Sequence, residues 1–239
     1  MNHLDTSKLK AIAFDFGGTL DSPFLHWMDI YLEIYGGQMG LPLTRENFRD
    51  AYVCAEQLME RLQLVQPSCS LYETQYFKVQ LQFRQLLQHG ILEIPVDERE
   101  AVFKRAAQLV TDYASGYVAR SRPVLEVLHA SYTLLLVSNY YGNIARIAAD
   151  LQIAPLFRSI TDSTIAGVRK PDPRLWQLAI EQAGFTPDEV LVVGDSRKND
   201  IEPALALGCR VVQGIPAGAE APADVCSIRQ LDELEQLLA

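Results

Sequence analysis

The sequence predicts an α/β protein: a doubly wound parallel sheet covered by helices on both faces, with an all-helical block inserted after the first strand. Three observations carry this. Apolar runs at 11–14, 132–137 and 189–193 have the continuous hydrophobicity of strands buried on both faces. They alternate with helical stretches bounded by capping residues, glycines and prolines. Between residues 22 and 118 the pattern changes to long helical stretches with no convincing strand. The expected division is a discontinuous core, 1–21 and 119–239, and an inserted helical domain, 22–118.

Taken in order, Ala11-Ile12-Ala13-Phe14 begins the first strand, which runs to Asp15 and is followed by Phe16, Gly17, Gly18 and Thr19. Phe24, Trp27, Tyr31 and Tyr35 recur at helical spacing and predict a helix over 24–35. GGQMGLP is a loop, and Thr44 can cap a helix that runs to about Leu64 before Pro67. A third helix spans Leu71–His89 and stops at Gly90. A fourth opens at Asp97 with Glu100 as a capping box and ends near Ser115-Gly116. Pro123 opens a short helix before the strand YTLLLVSN, 132–139. A helix over 143–151 and a weaker strand over 157–161 follow. Asp172-Pro173 is a helix start, and that helix ends at Gly184. The strand EVLVVGD, 189–195, a helix ending at Gly208, strands near 209–213 and 224–228, and a final helix complete the chain.

Composition sets bounds on function. The 239 residues are 49% hydrophobic and 21% charged, the balance of a soluble globular chain. A net charge of −9 argues against a nucleic-acid or anionic-membrane partner, either of which needs a basic surface. Arg169-Lys170 and Arg197-Lys198 are the candidate local basic sites. Cys54, Cys69, Cys209 and Cys226 are scattered without a C-x-x-C pair, so neither zinc spacing nor a disulfide framework is expected. The first ten residues have no apolar signal core, and no apolar run approaches a membrane span. The expected location is the cytoplasm. No internal repeat is evident, and the oligomeric state, monomer or homodimer, stays open.

Four polar clusters stand at strand ends or just after them: Asp15 with Thr19, Ser138-Asn139, Lys170, and Asp195 with Asp200. In a parallel sheet these ends converge on one edge. Three carboxylates without His or Cys suit a hard cation such as Mg²⁺. A lysine and a hydroxyl beside such an ion suit a phosphoryl group.

These residues fall in FDFGGTL, LLLVSN, VRKPDP and VVGDSRKND, in that order, and on them the chain resembles the haloacid dehalogenase superfamily. The helical insertion directly after the first signature resembles the family's C1-type cap, of subfamily I, on a Rossmann-like core. The resemblance implies that Asp15 is a nucleophile and metal ligand, forming an aspartyl-phosphate with a small phosphorylated substrate. It implies that Ser138 hydrogen-bonds the transferring group and that Lys170 stabilises the nucleophile and developing charge. Asp195 and Asp200 would hold Mg²⁺ with Asp15. Gly18, Thr19 and Asn139 would shape the substrate-binding loops.

Gly17 departs from the family's phosphatases, which carry a second Asp two residues after the nucleophile. That Asp gives a backbone carbonyl to Mg²⁺ and a proton to the leaving oxygen. Gly17 keeps the carbonyl, and so a place among the metal ligands, but has no proton to give. General acid catalysis is typically worth about 10²–10⁴ in rate. His26 and Asp21 are candidate substitutes for the acid. The family's dehalogenases also lack this Asp, but they lack the metal carboxylates too, which disfavours dehalogenation here. Members that cleave carbon–phosphorus bonds keep the metal and use a cap lysine. Here the cap lysines are Lys78 and Lys104, which read as solvated helix lysines. The alternatives to a phosphatase are therefore a phosphonate hydrolase or a phospho-ligand-binding protein with little turnover. Trp27, Tyr31, Tyr72, Tyr76 and Phe77 read as bundle core, whereas Tyr140, Tyr141 and Asn143 are candidates for touching the leaving group.

Overall fold

The computed structural model describes residues 4–238. The chain divides into two compact units, 1–25 with 115–239, and 26–114.

The first unit is built on a six-stranded sheet. Its strands are β1 (Ala11–Phe14), β2 (Thr133–Ser138), β3 (Phe157–Asp162), β4 (Val190–Gly194), β5 (Arg210–Gly214) and β6 (Cys226–Ile228). Their order is β3-β2-β1-β4-β5-β6, and every pairing is parallel. This is the Rossmann-like doubly wound α/β fold, its order reversing on the two sides of β1. β1 is central because all four of its side chains are small or apolar and fully buried. Phe14 lies in register with Leu136 and Val193, so the residues that follow β1, β2 and β4 emerge at one edge.

Helix α1 (Trp27–Leu32), α2 (Arg45–Leu62), α3 (Leu71–Gln88) and the first half of α4 (Arg99–His129) make the helical region. α5 (Ile144–Asp150), α6 (Ser163–Ala166), α7 (Arg174–Ala183), α8 (Glu202–Leu207) and α9 (Glu233–Leu238) belong to the sheet unit. On α7, Leu175, Trp176, Ala179, Ile180 and Ala183 form one stripe. That stripe packs in a single core with Ala11, Ala13, Leu135, Val137, Val190 and Val192 of the sheet. The alanines of β1 leave room for the indole of Trp176.

In the second unit, Tyr31, Tyr35, Phe48 and Phe83 are fully buried. Tyr35 meets Phe83 at a ring-centroid distance of 4.9 Å, and Phe83 meets Phe103 at 5.3 Å, both edge-on. The two tyrosine hydroxyls reach buried partners: Tyr31 donates to Gln75 Oε1 at 2.5 Å and Tyr35 to Gln82 Oε1 at 2.7 Å.

Several expectations are corrected. The predicted break at Gly116 does not occur: α4 is 31 residues long and carries Pro123 inside it. Phe103, Ala107, Val110, Ala114, Val118, Ser121, Leu125 and Leu128 continue one buried stripe through both breakers. The first helix of the second unit starts at Trp27 rather than Phe24, which is left-handed at φ 59°. Past Leu32 it widens into a π turn over Glu33–Gln38. The helix after Asp172-Pro173 begins one residue later than predicted, at Arg174, whose N–H donates to Asp172 Oδ1 at 3.0 Å. Lys78 is buried rather than solvated, pairing with Glu56 at 2.9 Å, with its ammonium 5.8 Å from the centre of the Trp27 ring. Lys104 is exposed as expected, beside Glu100 at 3.2 Å. Tyr31 is core as expected, whereas Trp27, Tyr72, Tyr76 and Phe77 are half-buried. Among the described residues, no helix is long and apolar enough to cross a membrane.

Candidate active site

Asp15 is the first residue beyond β1 and is anchored by its own N–H, which donates to the Val193 carbonyl at 3.0 Å. Lys170 reaches it from the loop between α6 and α7. The Lys170 ammonium donates to Asp15 Oδ1 at 2.6 Å, Asp200 Oδ1 at 2.7 Å and the Val137 carbonyl at 3.1 Å. Three protons meet three acceptors, in a pocket where the lysine side chain is 2% exposed. The Trp176 ring lies 4.8 Å from the same nitrogen. Asn139 fixes the lysine's backbone from both sides, donating to Lys170 O at 2.8 Å and accepting from Lys170 N at 2.9 Å.

Asp195 follows β4, and Asp200 lies on the π turn Arg197–Ile201. Oxygens of Asp15, Asp195 and Asp200 lie within 4.8 Å of one another. Asp200 Oδ2 accepts the Ser196 N–H at 3.1 Å, which locks the turn that carries it. Thr19 Oγ1 donates to Asp195 Oδ1 at 3.2 Å and accepts the Asp195 N–H at 3.1 Å.

Two glycines make this crowding possible. Gly18 stands at φ +90°, and a Cβ there would lie 2.7 Å from Asp195 Oδ1. A Cβ on Gly194 would lie 2.5 Å from the Asp200 Cβ. Gly17 sits in the same turn as Gly18, half-buried. Asp21, a candidate acid, is fully buried and turned back into this loop, accepting the Gly18 N–H at 2.7 Å. His26, the other candidate, belongs to the second unit, where its Nδ1 caps α1 by accepting the Met28 N–H at 3.2 Å.

Ser138 ends β2, is 2% exposed and lies in register with Asp162. The loop after it is held by three residues that the motifs do not include. Asp162 accepts the backbone N–H groups of Gly142 and Thr164, both at 2.9 Å, and of Ile144 at 3.3 Å. Ser163 Oγ accepts the Tyr140 N–H at 3.1 Å, and Thr164 Oγ1 donates to Tyr140 O at 2.7 Å. The D-S-T run at the end of a strand is the local signal that could have found them. Tyr140 and Asn143 are buried, Tyr140 standing edge-on to Phe16 at 6.0 Å; of the three residues expected near a leaving group, only Tyr141 keeps partial exposure.

The charges are unbalanced. Burial is the main force pushing the Asp15 carboxyl up to about 6; Lys170 opposes this and Asp200 adds to it. Burial, then the charges of Asp15 and Asp200, holds Asp195 well above the usual carboxylate range. Burial works against the Lys170 charge, but Asp15 and Asp200 outweigh it and raise the amine. One buried cation faces three carboxylates.

The sequence pattern of the haloacid dehalogenase-like hydrolases matches residues 9–208, most of the chain. The chain belongs to that family. Among curated relatives, the phosphoglycolate phosphatase of Aliivibrio fischeri is 31% identical over 134 residues, which is 53% of this chain and 58% of that one. That of Salmonella typhi is 39% identical over 127 residues, 49% of this chain and 48% of the other. The chain thus spans about half the length of the curated relatives it matches. Of solved structures, the HAD-hydrolase YfnB from Bacillus subtilis, bound to magnesium, superposes with a TM-score of 0.63 at 18% identity. The match covers 97% of this chain and 99% of that one. The 2-haloacid dehalogenase from Pseudomonas syringae superposes with a TM-score of 0.52 at 21% identity, covering 96% and 98%. At these identities the likeness is one of fold.

Within this haloacid dehalogenase-like fold, the donor set fits a divalent cation. All the clustered donors are carboxylate oxygens, the ligands that hard ions take. Burial first, and then the neighbouring carboxylates, hold Asp15 and Asp195 above their ordinary range, and a bound dication would oppose both effects.

Proposed function

We propose that the chain is a Mg²⁺-dependent phosphatase that hydrolyses a small phosphate monoester through Asp15. The observation that carries this reading is the buried Asp15–Lys170–Asp200 bridge beside Asp195. The names of the curated relatives, which include a phosphoserine phosphatase of Thermus thermophilus 37% identical over 60 residues, support the phosphate ester as substrate class.

In this reading Asp15, Asp195 and Asp200 would hold the ion, with the Gly17 carbonyl. Bound Mg²⁺ would supply positive charge for the phosphoryl oxygens and draw the Asp15 and Asp195 carboxyls into their ionised forms. An Asp15 oxygen attacks phosphorus, the ester P–O bond breaks, and the phosphoryl group passes to the carboxylate. Lys170 holds the other Asp15 proton-acceptor site, which orients the attacking oxygen. The Ser138 hydroxyl donates to a phosphoryl oxygen. The departing alkoxide takes its proton from water, since Gly17 has no acid to offer. Water then attacks phosphorus and gives up a proton to the hydroxide left by the first step, the bond from the Asp15 oxygen to phosphorus breaks, the carboxylate is restored, and phosphate leaves. Gly18, Thr19 and Asn139 act by holding Asp195 and Lys170 in place. The helical unit takes the part of the substrate-selecting cap. Four free cysteines accord with a cytoplasmic protein.

Phosphate release from an aryl phosphate, measured with Mg²⁺ and with EDTA, tests the proposal. Wild-type protein should show Mg²⁺-dependent release that Asp15→Asn lacks. Release equal to that of Asp15→Asn overturns it.

A further inference from the structure

Asp195 is held at more points than its own loop can account for. Thr19 takes its carboxylate and its N–H, and a third group takes its carbonyl. Gln213, on β5, donates from Nε2 to Asp195 O at 3.1 Å. The register explains how it gets there: Gln213 pairs with Gly194, the last residue of β4, so its side chain starts one residue short of Asp195 on the neighbouring strand. Gln213 Oε1 is buried and has no hydrogen-bond partner among the described residues. With the carbonyl of Asp195 as acceptor, only the amide nitrogen can face it, so the orientation of the amide is set. A half-buried glutamine on a strand that otherwise contributes Val211, Val212 and Gly214 to the core has no packing reason to be there. A valine at its place would remove the buried, unpartnered acceptor at no cost to the strand.

We infer that Gln213 is a positioning residue for the metal site. It fixes the Asp195 peptide, and with it the direction of the Asp195 carboxylate towards Asp15 and Asp200. Thr19 and Gln213 hold Asp195 from two different strands, β1 through its following loop and β5. Groups that orient a ligand in this way are commonly worth about 10- to 100-fold in metal affinity. This rests on the Mg²⁺ reading above.

The test is calorimetric titration of the full chain with MgCl₂, without substrate, comparing wild type with Gln213→Met, which keeps the length and removes the amide. The expected result is Mg²⁺ binding weakened about tenfold or more. Thermal unfolding in EDTA should stay close to wild type, and KM for an aryl phosphate at saturating Mg²⁺ should be unchanged. A merely structural role for Gln213 would move unfolding in EDTA and leave the Mg²⁺ isotherm alone; that outcome overturns the inference. So does unchanged affinity in Gln213→Met while wild type binds the ion. If wild type itself binds no Mg²⁺, the metal reading falls and this inference falls with it. Should Gln213→Met not fold, Gln213→Asn keeps the amide and shortens its reach by one carbon. Weakened binding there supports the assignment, and wild-type affinity overturns it.

Discussion

Lys170 and the carboxylates around it define what single residues do here. Removing the ammonium in Lys170→Met leaves Asp15 and Asp200 buried without their cation, and breaking such a pair costs about 3–5 kcal/mol. Urea unfolding in EDTA should show a loss of that order, and Mg²⁺ should recover part of it. Asp15 sets a pH dependence. Its folded value of about 6 lies above the ordinary 3.8, so protonation favours the folded state. The stability that Asp15 contributes is whole below about 3.8 and is lost as pH rises through about 6. In EDTA, wild type should therefore lose stability relative to Asp15→Asn across that window, and a flat difference would count against it. Gly17 predicts a leaving-group effect. Without an acid, kcat/KM should fall steeply from aryl to alkyl phosphates. Gly17→Asp should flatten that dependence, raising the alkyl rate by up to about 10²–10⁴. An equal slope in the two proteins would show that some other group already donates the proton.

At the scale of elements, the strands and their polar ends were legible because the signals are local. An apolar run that stops at Asp15, Ser138 or Asp195 is written in consecutive residues. The helix α4 was not, because Gly116 and Pro123 are local breakers overruled by a buried stripe that spans about seven turns of helix. This difference can be tested. Proline at the first turn of a helix is favourable, but inside one it costs about 3 kcal/mol. Pro123→Ala should therefore raise stability, by about 1 kcal/mol or more in urea unfolding. Lower stability would restore the reading of two helices. Lys78 and Gln213 were hidden for a related reason. Their partners, Glu56 and Asp195, lie 22 and 18 residues away, on other elements, where no spacing rule reaches. Asp162 was legible in principle, as a strand-end D-S-T run, but its effect is on the loop 140–144 across from it.

Across the molecule, the sheet order follows from what each strand can bury. β1 and β4 are wholly apolar and sit inside, while β3 and β6, with exposed or half-buried positions, take the edges. The core between α7 and the sheet should dominate stability. Trp176→Ala removes its largest fully buried side chain and should cost about 3–5 kcal/mol. Near-wild-type unfolding would show that the sheet unit is held elsewhere. Net charge and composition limited the partners, but they said nothing of a substrate.

The three acceptors around the Lys170 ammonium have a thermodynamic corollary. Every N–H of that amine is already spoken for by protein oxygens, at 2.6, 2.7 and 3.1 Å. In the phosphatase reading, an incoming oxyanion would gain one at least cost by displacing the longest of them, the Val137 carbonyl. Capture of the ligand at this point would then trade one hydrogen bond for another. The gain would lie in exchanging a neutral acceptor for a charged one, whose hydrogen bonds are about twice as strong, so that Lys170 would favour anions over neutral molecules.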